Sequence, residues 1–158
     1  MGRGRRARRC SDDGAAAVEF ALVVPVLVLI LFGIISYGVM LSFRQSLSQA
    51  AAEGARAAAV TFVDTEKKGE AVLAVTEALE SFDVSCTSGG ALMRDGKNVG
   101  SCAISDPGAC SPSAGANVKC VTVKLSYDYK NGGMVPTFPG LGIILPDTLT
   151  YEAQARVS

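Results

Sequence analysis

The chain contains an uninterrupted run of 24 uncharged, mostly apolar residues from Phe20 to Phe43. At about 1.5 Å per residue, a helix over this run is roughly 36 Å long, which is enough to cross a bilayer with some tilt. A cleaved secretory signal has a shorter apolar region, of about 7 to 15 residues, followed by a small-residue cleavage site. Here helical sequence continues past Arg44, so the run predicts a transmembrane helix that the mature protein keeps.

Charge is distributed asymmetrically around this run, although the whole chain is neutral. Five arginines fall in the first nine residues, and basic residues before an apolar span mark its cytoplasmic side. From Ala15 onward, the chain has ten basic and thirteen acidic residues, and this slight negative charge argues against a nucleic-acid partner for the folded part. A nucleic-acid arm and a lipoprotein are the less favoured alternatives, the latter because Cys10 follows arginines. We therefore expect a single-pass protein of the cytoplasmic membrane, with a cytoplasmic N-terminus and an extracytoplasmic C-terminal domain.

A single acid, Glu19, stands at the head of the apolar run, five residues after Gly14. An isolated carboxylate is costly in hydrocarbon, so such residues are rare and usually have a partner or a function. The structural alternative is that Glu19 only reaches the headgroup region. We favour a functional role for this carboxylate.

Four of the five cysteines lie in the part predicted to be exported: Cys86, Cys102, Cys110 and Cys120. In an oxidising compartment they predict two disulfides, with three connectivities that the sequence leaves open. Zinc is the competing interpretation. It is disfavoured because no Cys-x-x-Cys pair and no histidine occur in the chain.

The helical pattern continues beyond the membrane run. An apolar stripe recurs every three or four residues, and it predicts one helix from about Ala15 to about Val63 that contains Pro25. The stripe consists of Phe43, Leu47, Ala50, Gly54, Ala58 and Phe62. Small residues in it would let another backbone approach closely. That backbone belongs either to the protein's own sheet or to another subunit.

Residues 64–158 are expected to form an extracytoplasmic α+β domain. Asp64 or Thr65 is a candidate cap for a second helix, and Asp95-Gly96 predicts a hairpin turn between a short strand near Phe82 to Cys86 and another near Val99 to Ile104. Apolar and polar residues alternate in two segments of the last forty residues or so, and this pattern predicts two strands. We expect a sheet of three or four mainly antiparallel strands that covers the long helix. The buried positions predicted for the second helix are Val72, Val75, Leu79 and Phe82. Those predicted for the strands are Val121, Val123, Leu125, Tyr127 and Tyr129, then Leu149, Tyr151, Ala153, Ala155 and Val157.

The connection from Asn131 to Asp147 is rich in glycine and proline and yet strongly apolar. It predicts a lid over the protein's own sheet. The alternative is an exposed patch that contacts a subunit or the membrane.

No catalytic residue stands out. The chain has no histidine and no glycine-rich phosphate loop, so we expect no enzymatic activity, no cofactor, no metal and no small-molecule substrate. Glu53 and Arg56, three apart on the predicted helix, are interpreted as a surface ion pair, with a docking contact as the alternative.

The segment Gly14-Ala-Ala-Ala-Val-Glu19-Phe20-Ala-Leu, the following Pro25, and Gln49-Ala-Ala-Ala-Glu-Gly54-Ala-Arg-Ala-Ala58 resemble the TadE-like family of tight adherence (Flp) pilus proteins. These are pseudopilins or minor pilins built on the type IV prepilin plan. The resemblance is close over about Gly14 to Ala59. It implies a pilin-like fold, in which the long helix packs against a small sheet.

The resemblance also implies a processing site and an assembly site. A prepilin peptidase would cut after Gly14 on the cytoplasmic face, removing residues 1–14 as a leader and leaving Ala15 first. Glu19 and Phe20 match the positions that pilins use for recognition and assembly. The implied partners are this peptidase, the major pilin and other pilus assembly subunits, and the lipid bilayer, with an extracellular pilus as a further location.

One departure from the family pattern is that Asp12 and Asp13 precede the glycine, where many prepilins have a basic residue. The alternative function is an anchored extracytoplasmic binding module that keeps its leader. The expected mature chain has its membrane segment at about 20–43 and its long helix at 15–63.

Overall fold

The structure is a computed structural model that describes residues 12–112, 118–134 and 146–157. Helix α1 covers Asp12–Val60 and helix α2 covers Asp64–Leu79, followed by a 3-10 turn at Glu80–Phe82. The strands are β1 Val84–Cys86, β2 Ala91–Arg94, β3 Lys97–Ile104, β4 Gly108–Ala109, β5 Lys119–Asp128 and β6 Thr148–Val157. The chain divides into two units, with the boundary between Gly38 and Val39 inside α1.

The first unit consists of the N-terminal part of α1. Its large apolar side chains are exposed, including Leu22, Leu27 and Ile34 at 61–71%. Among the described residues, Gly14–Val60 is the one helix that is long and apolar enough to cross a membrane, with a mean hydropathy of 2.9 over its most apolar stretch. An apolar helix that the described part of the chain leaves exposed is suited to lipid, so this segment is a membrane anchor.

The second unit is built on the C-terminal part of α1. This part buries Phe43, Leu47, Ala50, Ala51, Ala55 and Ala58 at helical spacing. Helix α2 buries Ala71, Val75 and Leu79 in the same core. The long helix and the sheet share one hydrophobic core, which confirms the predicted α+β class and pilin-like layout.

Among the described residues, a six-stranded antiparallel sheet forms the other layer, in the order β1-β2-β3-β5-β4. Strands β3 and β4 pair with successive parts of one edge of β5, and β6 pairs along the opposite edge. Strand β5 alternates as the sequence predicts: Val121, Val123, Leu125 and Tyr127 are buried, and the residues between them are half-buried or exposed. Strand β6 also alternates, although Tyr151, Ala153 and Ala155 are only partly buried. Among the described strands, β6 pairs with β5 alone and so forms an edge of the sheet.

The sheet has more strands than the three or four that the sequence predicts. Strand β2 was missed because its four residues lie between the turn at Thr87–Gly90 and the Asp95-Gly96 turn, and β4 has only two residues. The Asp95-Gly96 hairpin turn is present, with φ of 50° and 73°, but it joins β3 to β2 and not to the strand predicted from Phe82. Phe82 belongs to the 3-10 turn, so β1 starts only at Val84.

The helix ends also differ from the prediction. Helix α1 covers Asp12–Val60, so it begins three residues before the predicted start at 15 and ends three residues before the predicted end at 63. Phe62 therefore leaves the apolar stripe and is 93% exposed. Neither Asp64 nor Thr65 caps α2: the cap position is Val63, which makes no side-chain hydrogen bond, and Asp64 is the first helical residue. The Asp64 carboxylate instead lies 3.6 Å from Lys67 Nζ.

The predicted lid between Asn131 and Asp147 lies mostly outside the described residues. Of its described parts, Met134 packs against the core. At the other end, the Asp147 carbonyl accepts a hydrogen bond from Tyr129 N at 2.9 Å, and the Asp147 carboxylate lies 3.1 Å from Lys130 Nζ.

Candidate membrane and assembly segment

Gly14 and Ala15, the residues on either side of the predicted cut, lie in the first turns of α1, and both are exposed. A methyl group added at Gly14 would contact nothing within 4 Å. Packing therefore does not require glycine at this position, and the helix interior does not favour it. A peptidase would have to unwind this end of the helix, because proteolysis needs an extended backbone.

Glu19 and Phe20 lie just beyond this site on the same helix and are exposed, Phe20 at 71%. None of the ion pairs found among the described residues involves Glu19. Ala15 and Glu19 are four residues apart, so they lie on one side of the helix, one turn from each other. A cut after Gly14 would thus place the new amine and the carboxylate on the same helix face.

The apolar surface of this unit extends without a break in the helix. Pro25 lies inside α1, and the helix continues through it to Val60. Proline lacks the amide hydrogen, so one backbone hydrogen bond of the membrane segment is missing at this point. The exposed side chains around it are aliphatic or aromatic, which suits contact with lipid or with another apolar helix.

The small residues of the stripe lie inside the second unit. Gly54 faces α2 and β5: an added methyl group would lie 2.6 Å from Val75 Cγ2, 3.3 Å from the Ala71 carbonyl oxygen and 3.5 Å from Val123 Cγ1. Ala50 and Ala58 are fully buried. Of the two hypotheses for this seam, packing within the protein is therefore correct, with α2 as an additional partner that the sequence did not reveal.

One protein-family model matches this part of the chain, covering residues 14–56, and its description is TadE-like protein. Residues 14–56 are TadE-like. The match begins at the glycine of the predicted cut and includes Glu19, Pro25 and Gly54. It confirms the resemblance inferred from these residues. No curated protein and no solved structure matches the chain significantly.

The TadE-like segment ends in the predicted surface pair. Arg56 Nη1 lies 3.4 Å from Glu53 Oε2, and both side chains are largely exposed. A second arginine of the segment, Arg44, donates a hydrogen bond from Nε to the Tyr151 hydroxyl at 2.9 Å. That bond joins α1 to β6, a contact between residues 107 positions apart that the sequence did not predict.

Beyond the TadE-like segment, the four cysteines form two disulfides. Cys86–Cys102 joins β1 to β3 across β2, and Cys110–Cys120 joins the end of β4 to β5. No group of three or more histidine, cysteine or acidic residues suited to a metal ion occurs in the described part of the chain. The cysteines therefore stabilise the sheet that supports the TadE-like helix.

A buried polar cluster lies where β5 ends. The Tyr127 hydroxyl and Arg94 Nη1 both donate hydrogen bonds to the Gly132 carbonyl, each at 3.0 Å. Burial raises the pKa of Tyr127 above its ordinary value, and Arg94 partly offsets that rise. Burial also raises the pKa of Tyr129, whose hydroxyl has no hydrogen-bond partner among the described residues. Both hydroxyls stay neutral at physiological pH, and the Tyr127 ring packs the end of β5 against α1, with its centroid 4.6 Å from that of Phe43.

Sequence reasoning missed Lys67. This lysine is only 1% exposed, and its Nζ donates a hydrogen bond to the Thr61 carbonyl just past the end of α1. A cation at a helix C-terminus interacts favourably with the helix dipole and binds carbonyls that lack helical partners. The sequence Asp-Thr-Glu-Lys-Lys gives no signal for this, because it is typical of a solvated helix surface.

Proposed function

We propose that this protein is a pilin-like structural subunit, a pseudopilin or minor pilin, of a tight adherence pilus. The observation that carries the proposal is the TadE-like match over residues 14–56, which lies on a helix whose N-terminal part exposes apolar side chains. The TadE-like match supports a structural role, and a subunit of this kind needs a membrane-held form before assembly. No residue of the described chain is assigned a catalytic role.

In this proposal, a prepilin peptidase removes residues 1–14 on the cytoplasmic face. The mature chain begins at Ala15, and its C-terminal domain is extracytoplasmic. Support comes from the match that starts at Gly14 and from the exposure of Gly14 and Ala15 at the start of α1. The small side chains leave the backbone accessible to a protease.

Glu19 is the proposed assembly contact, with Phe20 beside it. A buried carboxylate and a buried ammonium each cost several kcal/mol alone, and pairing offsets much of that cost. In the assembled state, Glu19 would pair with the Ala15 amine of a neighbouring subunit, the major pilin or another assembly subunit. The helix spacing allows a competing pair within one chain, because Ala15 and Glu19 share a face.

The second candidate is an anchored extracytoplasmic binding module that keeps its leader. The disulfide-stabilised unit after Val39 favours it, because this unit has its own core.

The two candidates predict different N-termini. Intact-mass spectrometry of the full chain purified from native membranes should show a protein that starts at Ala15 if the chain is a processed subunit. A Gly14→Leu variant should keep residues 1–14, whereas Gly33→Leu, at another glycine with open space around it, should be processed normally. A wild-type chain that starts at Met1 in those membranes would favour the binding module.

A further inference from the structure

A small cavity lies at the turn between β2 and β3, beside the end of β5. Its volume is about 170 Å³, and its lining includes Arg94, Lys97 and Asn98 of the hairpin and Asn131 and Gly132 of the loop after β5. Pockets for drug-sized ligands have roughly 300 to 1,000 Å³. This cavity, which we call the hairpin cavity, is therefore suited to one small chemical group of a larger ligand.

Two cations lie side by side at the hairpin cavity. Arg94 and Lys97 are register partners at the end of the β2–β3 ladder, so both side chains point to the same face of the hairpin. None of the ion pairs found among the described residues includes either of them. Like charges at directly opposite strand positions destabilise a sheet. An anion bound between these two side chains would replace that repulsion with attraction.

The Arg94 guanidinium has a donor that the described residues leave unused. Its Nη1 atom donates a hydrogen bond to the Gly132 carbonyl at 3.0 Å, whereas its Nε atom is buried and has no hydrogen-bond partner in the described part of the chain. A buried donor without a partner costs free energy, and the cost is larger in a charged group. Guanidinium groups have the geometry to bind two oxygens of a phosphate or carboxylate. The unused donor thus points to an oxyanion.

The other polar groups around the hairpin cavity agree with an anionic ligand. Asn98 accepts a hydrogen bond from Gly100 N with its Oδ1 atom at 3.0 Å, so its Nδ2 group is left to donate. Asp95 is the one acid among the described lining residues, and it is exposed on the turn. The carboxylate of Asp128 nearby already accepts hydrogen bonds from Asn131 N and Nδ2, at 3.1 and 2.9 Å.

The hairpin cavity also lies near the point where the chain leaves its predicted membrane span. Gly132, in its lining, accepts a hydrogen bond from the Tyr127 hydroxyl at 3.0 Å, and the Tyr127 ring centroid lies 4.6 Å from that of Phe43. Phe43 is the last residue of the uncharged run. A helix over this run is roughly 36 Å long and the hydrocarbon core roughly 30 Å thick, so the end of the run reaches the headgroup layer.

We propose that the hairpin cavity binds the phosphate group of an anionic membrane phospholipid. Arg94 and Lys97 bind the phosphate oxygens, and Asn98 supplies a third donor. The position beside Phe43 favours a lipid over free phosphate, because basic side chains next to a membrane span attract anionic headgroups. The site goes beyond the proposed function and is compatible with either candidate, since both are anchored in a membrane.

The test measures lipid retention by the full chain, purified in an uncharged detergent without phosphate and mixed with phosphatidylglycerol. Native mass spectrometry gives the apparent affinity for the most tightly bound lipid. We expect this affinity to fall about tenfold in Lys97→Gln, which alters an exposed side chain, because a charge-assisted hydrogen bond is lost. Arg94→Lys, which keeps the charge but lacks the Nε donor, should weaken retention in the same direction.

Two controls separate this site from general binding of lipid to the apolar helix. Lys119→Gln removes an equal charge at an exposed position near the start of β5, at the other end of the strand, and should retain phosphatidylglycerol like wild type. Diacylglycerol, which has the same acyl chains without a phosphate, should bind wild type and Lys97→Gln equally. Equal retention of phosphatidylglycerol by wild type, Lys97→Gln and Arg94→Lys would overturn the proposal.

Inorganic phosphate distinguishes the two sources of the phosphate group. If the ligand is a lipid, an equal concentration of inorganic phosphate should displace little phosphatidylglycerol from wild type, because the acyl chains add binding energy. Efficient displacement would keep the phosphate site and reject the lipid as its source. The same spectra give the mass of the chain, so processing after Gly14 is determined independently of lipid binding.

Discussion

Gly54 of α1 faces Val75 of α2 so closely that an added methyl group would lie 2.6 Å from the Val75 Cγ2 atom. Real side chains do not approach at this distance, so the two helices are as close as glycine alone permits. The helix that carries the TadE-like segment is therefore locked to the rest of the second unit at this crossing.

Gly54→Ala should consequently destabilise the protein. Overpacking costs about 1 to 3 kcal/mol, and the gain in helix propensity returns about 1 kcal/mol, so we expect a net loss of up to roughly 2 kcal/mol. Denaturant unfolding of the full chain in detergent, followed by near-ultraviolet circular dichroism, measures it. Gly69→Ala in α2, where an added methyl group contacts nothing within 4 Å, is the control and should be neutral or stabilising. Equal effects at both glycines would contradict the close contact.

Much of this crossing could be predicted from the sequence, but its partner could not. The spacing of Ala50, Gly54 and Ala58 predicts a narrow helix face, because helical periodicity is a local property. Whether Val75 or another subunit fills that face depends on contacts between residues far apart in the chain. The same limit explains why β2 was missed: four residues between two turns carry too little periodic signal.

The candidate site likewise has local features that the sequence predicts and long-range contacts that it does not. Gly14, Glu19 and the apolar run are local features, and the sequence alone located them. The disulfide pairing and the Arg44 to Tyr151 bond depend on the sheet register, which aligns residues that the sequence separates. Lys67 could not be found at all, because a buried lysine and an exposed one look alike in a helical sequence.

Lys67→Met should reveal the contribution of this buried cation. The variant keeps an apolar stem of similar length but leaves the Thr61 carbonyl without its donor, which costs about 1 to 3 kcal/mol. Lys68→Met, next to it and exposed, should change the unfolding free energy by less than about 0.5 kcal/mol. Both are measured by the same denaturant unfolding. A Lys67→Met protein as stable as wild type would mean that the ammonium adds nothing beyond its stem.

The two disulfides should contribute unequally to stability. Loop entropy alone gives about 3 kcal/mol for each, since their separations of 16 and 10 residues differ little. Cys86 and Cys102 are both buried in the core, whereas Cys110 is only half-buried. We therefore expect Cys86→Ala with Cys102→Ala to lower the melting temperature more than Cys110→Ala with Cys120→Ala, as measured by calorimetry. The reverse order would show that loop closure at β4 matters more than core packing.

Alkaline pH should destabilise the second unit. Burial raises the pKa of Tyr127 and of Tyr129 above the ordinary value of 10.0, so the folded state holds their protons more tightly than the unfolded state does. Their contribution is complete below about pH 10 and is lost as the pH rises through the folded-state pKa values. Unfolding free energies measured from pH 8 to 11.5 should fall above pH 10, with a shallower fall in Tyr127→Phe. An unchanged slope in that variant would remove Tyr127 from the explanation.

Glu19→Gln tests the proposed assembly contact without changing the size of the side chain. Membrane insertion should be retained, because the apolar run from Phe20 to Phe43 is intact and a neutral amide is less costly in hydrocarbon than a carboxylate. Recovery with the other pilus subunits should fall, because the amide cannot form an ion pair with an amine. Glu53→Gln, at an exposed pair in the second unit, is the matched control and should leave recovery unchanged. Carbonate extraction measures insertion, and recovery of tagged subunits from membranes measures association. If Glu19→Gln and wild type associate equally, the carboxylate serves only to place the helix at the membrane surface.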